Sequence, residues 1–274
     1  MDSYASLYFM TDLDGTLLPS SKEILPVDRA AIEIFRHAGG RFSIATGRTL
    51  QAAGKYIRDL HLDQPAIVFN GAALYDPVSA ELLDVVTLPE EIAALVEDVL
   101  TAFPNVGAEI LTADSTYVPR LNTQEQEHLG ICGVTPVLGP LKDVPRQMWM
   151  KVLFATDPRE MDALMAFIAD QHCDSVDFVR SEDRFYEILP KGVSKGSALD
   201  KLRRRLGEET ILIGAGDYDN DVGLLTRADF GVCPANGAQS VKNVADLTLA
   251  CSCENGATAE LITYILANRD RLRR

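Results

Sequence analysis

The feature that most limits the fold is an alternation of short apolar runs with helix-spaced segments, which breaks off near residue 82 and resumes near 195. Residues 4–11 are aromatic and β-branched enough for a buried strand. A helix follows over 26–39, with Pro26 in its first turn, Ala30, Ala31, Ile34, Phe35 and Ala38 at helical spacing, and Gly39-Gly40 closing it. Strand 41–45, helix 49–60 and strand 66–69 complete this stretch. Strands separated by helices predict an α/β fold, a Rossmann-like doubly wound parallel sheet with right-handed crossovers.

From about Leu82 the rhythm changes to strand 82–87, helix 89–103, strand 106–111, an irregular Pro- and Gly-containing stretch 119–145, strand 149–155, helix 158–172 and strands near 175–180 and 184–189. This reads as an inserted α+β domain at 83–190, with 1–82 and 191–274 forming the core. The alternation resumes with helix 195–206, strand 210–214, an acidic loop, helix 220–227, strand 229–233 and a last helix 257–268. A length of 274 residues suits two domains, and 47% hydrophobic with 24% charged residues is the composition of a folded globular chain.

With 26 Lys and Arg against 40 Asp and Glu, a net charge of −14 opposes broad contact with nucleic acid. The basic residues Arg269, Arg271, Arg273 and Arg274 read as a helix end facing solvent. Five scattered cysteines (Cys132, Cys173, Cys233, Cys251, Cys253) follow no disulfide spacing and read as free thiols of a cytoplasmic protein. No basic segment precedes an apolar one at the N-terminus, and no apolar run reaches the roughly 18 residues of a membrane span. His37, His61, His128 and His172 are never neighbours and form no H-E-x-x-H, so they are expected at the surface or at helix ends rather than in a zinc site.

Four constellations carry chemistry. Asp12-Leu13-Asp14-Gly15-Thr16 follows the first strand, where an open α/β sheet binds its ligands. Two carboxylates on one turn can share a hard cation and differ in basicity, though D-x-D-G alone is equally an ordinary helix-capping turn. Strand 210–214 ends in a second acidic loop, Gly216-Asp217-Tyr218-Asp219-Asn220-Asp221. Read as an EF-hand from Asp217, that loop has Val222 where glycine is needed and Ala228 where glutamate is needed. Two acidic clusters at neighbouring strand ends call for a divalent cation such as Mg²⁺. Thr46-Gly47-Arg48 opens a helix, a place for an anion, and Lys195 opens another against the helix dipole, as if answering a negative charge.

In order and context these elements resemble the signature of the haloacid dehalogenase-like hydrolases. Asp12-Leu13-Asp14-Gly15-Thr16-Leu17 is similar to the family's nucleophile motif, Thr46 to its hydroxyl motif, Lys195 to its lysine motif and Gly216-Asp217 with Asn220-Asp221 to its acidic motif. The resemblance covers the whole chain, and an insert between Thr46 and Lys195 is that of the Cof-type branch with a type IIB cap. Asn70-Gly71-Ala72 and Glu254-Asn255-Gly256 look like turns typical of that branch. The resemblance implies a Mg²⁺-dependent phosphatase for a small phosphorylated metabolite. In it Asp12 attacks phosphorus, Asp14 moves protons, and Thr46 and Lys195 neutralise the phosphoryl oxygens. It further implies Mg²⁺ held by Asp12, the Asp14 carbonyl, Asp217 and Asp221, and phosphate or substrate contacts from Leu13, Gly47, Arg48, Asn70, Gly71 and Asn220. Substrate choice then falls to the insert, where Arg120, Arg180 and Arg184 are candidates for a second anionic group, each equally readable as a solvated surface arginine. A sugar phosphomutase and a non-catalytic phospholigand-binding regulator are the alternatives, the second opposed by the intact Asp12, Asp14, Lys195 and Asp217.

Overall fold

The computed structural model describes residues 4–207 and 209–272, and Arg273 and Arg274 of the basic tail lie outside it. The chain first forms β1 (Leu7–Thr11), α1 (Pro26–His37), β2 (Arg41–Ile44), α2 (Leu50–Asp59), β3 (Ala66–Val68), β4 (Ala73–Asp76) and β5 (Glu81–Leu83). There follow α3 (Ile92–Ala102), β6 (Gly107–Leu111), β7 (Thr116–Arg120), α4 (Thr123–Cys132), β8 (Val137–Leu138), β9 (Lys151–Ala155), α5 (Pro158–Asp170), β10 (Val176–Glu182) and β11 (Phe185–Pro190). Last come α6 (Lys195–Leu206), β12 (Ile211–Ala215), α7 (Val222–Arg227), β13 (Phe230–Cys233), α8 (Gln239–Lys242), β14 (Leu247–Thr248) and α9 (Ala257–Ala267).

These elements fall into two compact units, one of 1–47, 56–84 and 194–274, the other of 48–55 and 85–193. The first is built on a parallel sheet of order β14-β13-β12-β1-β2. β1 is buried along its whole length, as a parallel strand covered on both faces must be. Tyr8 and Met10 pack with Ala198, Leu199 and Leu202 of α6 and Leu224 and Leu225 of α7. Phe9 instead meets Phe35 of α1 edge-on, with ring centroids 6.4 Å apart, and Phe42 of β2 at 5.3 Å. Gly40 keeps that second layer closed, since a Cβ there would stand 2.4 Å from the Phe35 ring.

Two expectations change. β3 touches β2 through a single parallel bridge, Ala45 with Ile67, and otherwise pairs antiparallel with β4 in a separate sheet of order β3-β4-β5. The 119–145 stretch, read as irregular, contains α4, started by Asn122, whose side chain accepts from the Glu125 amide, and ended by Gly133 in the left-handed conformation. α4 escapes a periodicity reading because Glu125 takes a core position beside Leu129, where an apolar residue would signal a buried face.

The second unit carries a six-stranded sheet of order β10-β11-β9-β6-β7-β8, antiparallel except for β7 with β8. Its core joins Ile92, Val96 and Val99 of α3 and Met161, Leu164 and Ile168 of α5 to Ile110, Val152, Phe154 and Ile188 of the sheet. No helix among the described residues is long and apolar enough to cross a membrane.

Candidate active site

Strand register sets the site before any side chain enters. Thr11 pairs with Ala215 on one side and Ile44 on the other, so Asp12, Gly216-Asp217 and Ala45-Thr46 all leave the sheet at its carboxyl edge. The Asp12 amide still donates to the Ala215 carbonyl at 2.8 Å, and the Ala45 amide to the Thr11 carbonyl at 2.9 Å.

Lys195 joins the two acidic turns. Ser194 caps α6, accepting from the Ser197 amide, which places the lysine at the first helical position with its side chain fully buried. Its ammonium donates to Asp12 Oδ1 at 2.7 Å and to Asp221 Oδ1 at 2.6 Å. The other Asp221 oxygen accepts from the Asp217 and Tyr218 amides at 3.0 and 3.2 Å, which folds the acidic loop back on itself. A lysine that opposes the helix dipole is thus matched by two carboxylates.

Asp217 is placed from the other turn. The Thr16 hydroxyl donates to its Oδ1 at 2.7 Å, and Gly15, at φ +77°, keeps the path open, since a Cβ there would stand 2.3 Å from Asp217 Oδ2. Ligand oxygens of Asp12, Asp217 and Asp221 all lie within 4.8 Å of one another. Three carboxylates around one ammonium leave an excess of negative charge in a buried place. Burial, aided by the Asp221, Asp217 and Asp14 charges, raises Asp12 well above the usual carboxylate range against the pull of Lys195. Asp217 is pushed up to about 7 by burial and by Asp221, with the Thr16 bond and Lys195 opposing. An all-oxygen donor set with surplus charge fits a hard divalent cation such as Mg²⁺, which would favour the ionised forms.

The remaining candidates occupy distinct places. The Asp14 carboxylate stands apart from the three-carboxylate group and pairs with Lys22 at 2.7 Å, both about one-third exposed. Leu13 has its side chain in the core, so only its backbone can meet a ligand. Thr46 is buried, its amide bound to the Ile67 carbonyl and its carbonyl accepting from Asn70. Asn70 adopts φ 54°, ψ 22° and accepts from Asn220 Nδ2 at 3.2 Å, tying the turn after β3 to the acidic loop. Gly47 lies so close to Asn70 that a Cβ would stand 2.7 Å from its Oδ1. Gly71, at φ +101°, serves packing, since a Cβ would stand 2.2 Å from the Ser194 carbonyl oxygen under Lys195. Arg48 falls in the second unit and is buried there.

Sequence reading missed Thr16 as the orienter of Asp217, Lys22 as the partner of Asp14, and Asn236, whose amide holds the Gly15 carbonyl at 2.8 Å. The T of D-x-D-G-T carried a signal for the first; Lys22 is only 8 residues from Asp14 but at no spacing that marks a pair, and Asn236 lies 221 residues from Gly15. Within the second unit, Arg120 donates to the Leu100 and Phe103 carbonyls at 2.7 and 2.9 Å and closes the end of α3. Arg184 pairs with Glu127 and Arg180 with Asp183, so all three arginines offered for a second anionic group have partners inside that unit. His128 departs from the surface expectation, its ring against Phe185 and its Nδ1 3.2 Å from Glu109. The five cysteines are free thiols.

Residues 9–261 match the haloacid dehalogenase-like hydrolase family. The chain is 27% identical to the 5-amino-6-(5-phospho-D-ribitylamino)uracil phosphatase YitU of Bacillus subtilis (strain 168), over 92% of this chain and 95% of that one. Its structure is similar to a haloacid dehalogenase-like hydrolase from Bacteroides thetaiotaomicron, with TM-score 0.84 and 23% identity over 94% of this chain and 98% of that one. It is also similar to the subclass IIB sugar phosphatase BT4131, with TM-score 0.79 and 18% identity over 95% and 98%. With the strand-end carboxylates, buried lysine and two-unit architecture in place, the chain belongs to the haloacid dehalogenase-like hydrolases and is an enzyme of their Cof-type phosphatase branch.

Proposed function

We propose that this protein is a cytoplasmic, Mg²⁺-dependent phosphomonoesterase that hydrolyses a small sugar-type phosphate through a phosphorylated Asp12. The observation that carries the reading is the fully buried Lys195 held between Asp12 and Asp221, with Asp217 in the same carboxylate group. Lys195 holds one Asp12 oxygen and leaves the other to attack phosphorus. As the Asp12 O–P bond forms, the bond from phosphorus to the leaving oxygen breaks and Asp14 gives that oxygen its proton. Asp14 then takes a proton from water, whose oxygen attacks phosphorus, breaking the Asp12 O–P bond and releasing inorganic phosphate. The Thr46 hydroxyl and the Lys195 ammonium offset charge on the transferring oxygens, aided by the amides at Leu13 and Gly47.

Asp12, Asp217 and the Asp14 carbonyl would hold Mg²⁺. Both Asp221 oxygens already hold Lys195 and the loop amides, which suits a supporting part, with Asn220 beside it. Bound there, Mg²⁺ supplies charge neutralisation and orientation of the phosphoryl group. We assign fixing of the Thr46 turn to Asn70 and Gly71. The sugar-type substrate follows the names of two relatives, one acting on a phosphorylated ribityl compound and one a sugar phosphatase.

The test is phosphate release from sugar phosphates, nucleotides, cofactor phosphates and p-nitrophenyl phosphate, with Mg²⁺ or EDTA, for the wild type and Asp12→Asn. Metal-dependent release that vanishes in the variant supports the reading. Isomerised sugar phosphate without free phosphate would replace it with the mutase, and no turnover of any compound would overturn it.

A further inference from the structure

The second unit holds a buried polar cluster that the hydrolase chemistry does not use. Glu109, on β6, is 2% exposed, and Glu125, on α4, is fully buried. His128 and Cys132 follow Glu125 on α4 at i+3 and i+7, which places all three on one side of the helix. The His128 Nδ1 stands 3.2 Å from Glu109 Oε1, and its Nε2 stands 3.4 Å from Cys132 Sγ. Neither carboxylate oxygen of Glu125 meets a hydrogen-bond donor. What it faces is a second carboxylate, Glu109. Two acceptors in contact in a buried place need a proton or a cation between them.

We propose that Glu109, Glu125 and His128 form a zinc site in the second unit, with His128 coordinating through Nδ1 and its ring fixed by Nε2–H donating to the Cys132 sulfur. The three ligand atoms already lie within 4.8 Å of one another. Ligands at about 2.0–2.1 Å from a tetrahedral zinc stand about 3.3 Å apart, and the His128–Glu109 edge is 3.2 Å. One imidazole and two carboxylates match zinc rather than Mg²⁺ or Ca²⁺, which prefer oxygen alone. Two carboxylates with a neutral imidazole also balance a divalent charge. An orienting partner on the distal ring nitrogen is the usual arrangement of a metal-bound histidine. Half-buried His128 and Cys132 give the ion a route from solvent.

Without a metal, burial and Glu109 push Glu125 up to about 10, so it is a neutral acid at physiological pH. Burial acts against the charged forms of Glu109 and His128, but their contacts win: Glu109 is lowered by His128, and His128 is raised by Cys132 and Glu109. Lys151, paired with Glu187 at 2.8 Å, adds a positive charge acting on Glu109.

The experiment uses the full chain carrying Asp217→Asn, which weakens the other carboxylate group, stripped with EDTA and titrated with ZnCl₂. We expect one zinc per chain by metal analysis and a Tm rise of about 5 °C or more at a roughly hundredfold excess over Kd. Adding Glu125→Gln abolishes both, and the metal-free Tm stays within about 2 °C, because glutamine is neutral like the protonated glutamate it replaces. His128→Asn gives the same loss from an independent ligand. Zinc uptake and a Tm shift that survive both substitutions would overturn the site. So would the absence of zinc uptake by the parent, which would leave Glu109 and Glu125 sharing a proton.

Discussion

Asp221 receives the Lys195 ammonium at 2.6 Å, with neither side chain exposed to solvent. The contact joins two helix starts and sets the lysine against the strand-end Asp12. Lys195→Met would leave Asp12 and Asp221 buried without their cation. We expect a loss of about 3–5 kcal/mol in urea unfolding, together with loss of phosphate release. Asp12→Asn removes one charge from a crowded group, so it should abolish turnover without lowering Tm. A marked drop in Tm for Asp12→Asn would show that the ion pair outweighs the crowding.

Asp217 gives the metal-free protein a pH dependence of definite sign. Its pKa of about 7 in the folded state lies above the roughly 3.9 of an unfolded aspartate, so between these values the folded state holds the extra proton. Stability from this group is full below the unfolded value and declines as pH rises through 7. In EDTA we expect wild type to lose roughly 2 kcal/mol more than Asp217→Asn between pH 5 and pH 8. Saturating Mg²⁺ should remove the difference. Parallel curves for the two proteins in EDTA would refute this account.

Asp28 carries a similar cost outside the site. Its Oδ1 accepts from the Ala259 amide at the start of α9 at 2.7 Å, and its buried Oδ2 has no hydrogen-bond partner. Burial pushes the carboxyl up to about 6. Asp28→Asn keeps the capping oxygen and removes the charge. It should stabilise the protein by about 2 kcal/mol at pH 7.5 and by roughly half as much at pH 5, where the folded carboxyl is neutral but the unfolded one, with a pKa of roughly 3.9, is still ionised. Thermal melts at the two pH values decide it.

Gly15 has a steric reason to be glycine, with φ +77° and Asp217 Oδ2 at 2.3 Å from any added Cβ. Gly15→Ala must displace the Asp217 carboxylate or bend the turn. The expected outcome is a fall of at least about tenfold in kcat and a higher Mg²⁺ requirement, with a stability cost of about 1–2 kcal/mol. A Mg²⁺ titration of activity that overlays that of wild type would show the turn to be more yielding.

Asp14, paired with Lys22, is expected to matter in proportion to the leaving group's need for a proton. Asp14→Asn should cost about 10²–10⁴ on a sugar phosphate and much less on p-nitrophenyl phosphate, whose phenolate leaves unaided. Equal losses on both substrates would remove Asp14 from the role of acid. Lys22→Ala, at a partly exposed pair, should change stability by less than about 1 kcal/mol.

Local pattern reached far into this molecule. The apolar run ending in Asp12, the run ending in Asp217, the helix opening at Lys195 and the change of rhythm near 82 all lie in short stretches of chain, where propensity and periodicity act. They announced the parallel sheet and put carboxylates at its carboxyl edge. Tertiary structure decided what those groups touch. Lys195, 183 residues from Asp12, reads locally as a solvated lysine at a helix start, and only register and packing make it a buried cation between two carboxylates. Thr16 meets Asp217 across 201 residues for the same reason. α4 stayed hidden because its buried position is Glu125, and a buried acid has no periodic signal: what makes it tolerable, a proton or a cation shared with Glu109 on another strand, belongs to the folded unit alone.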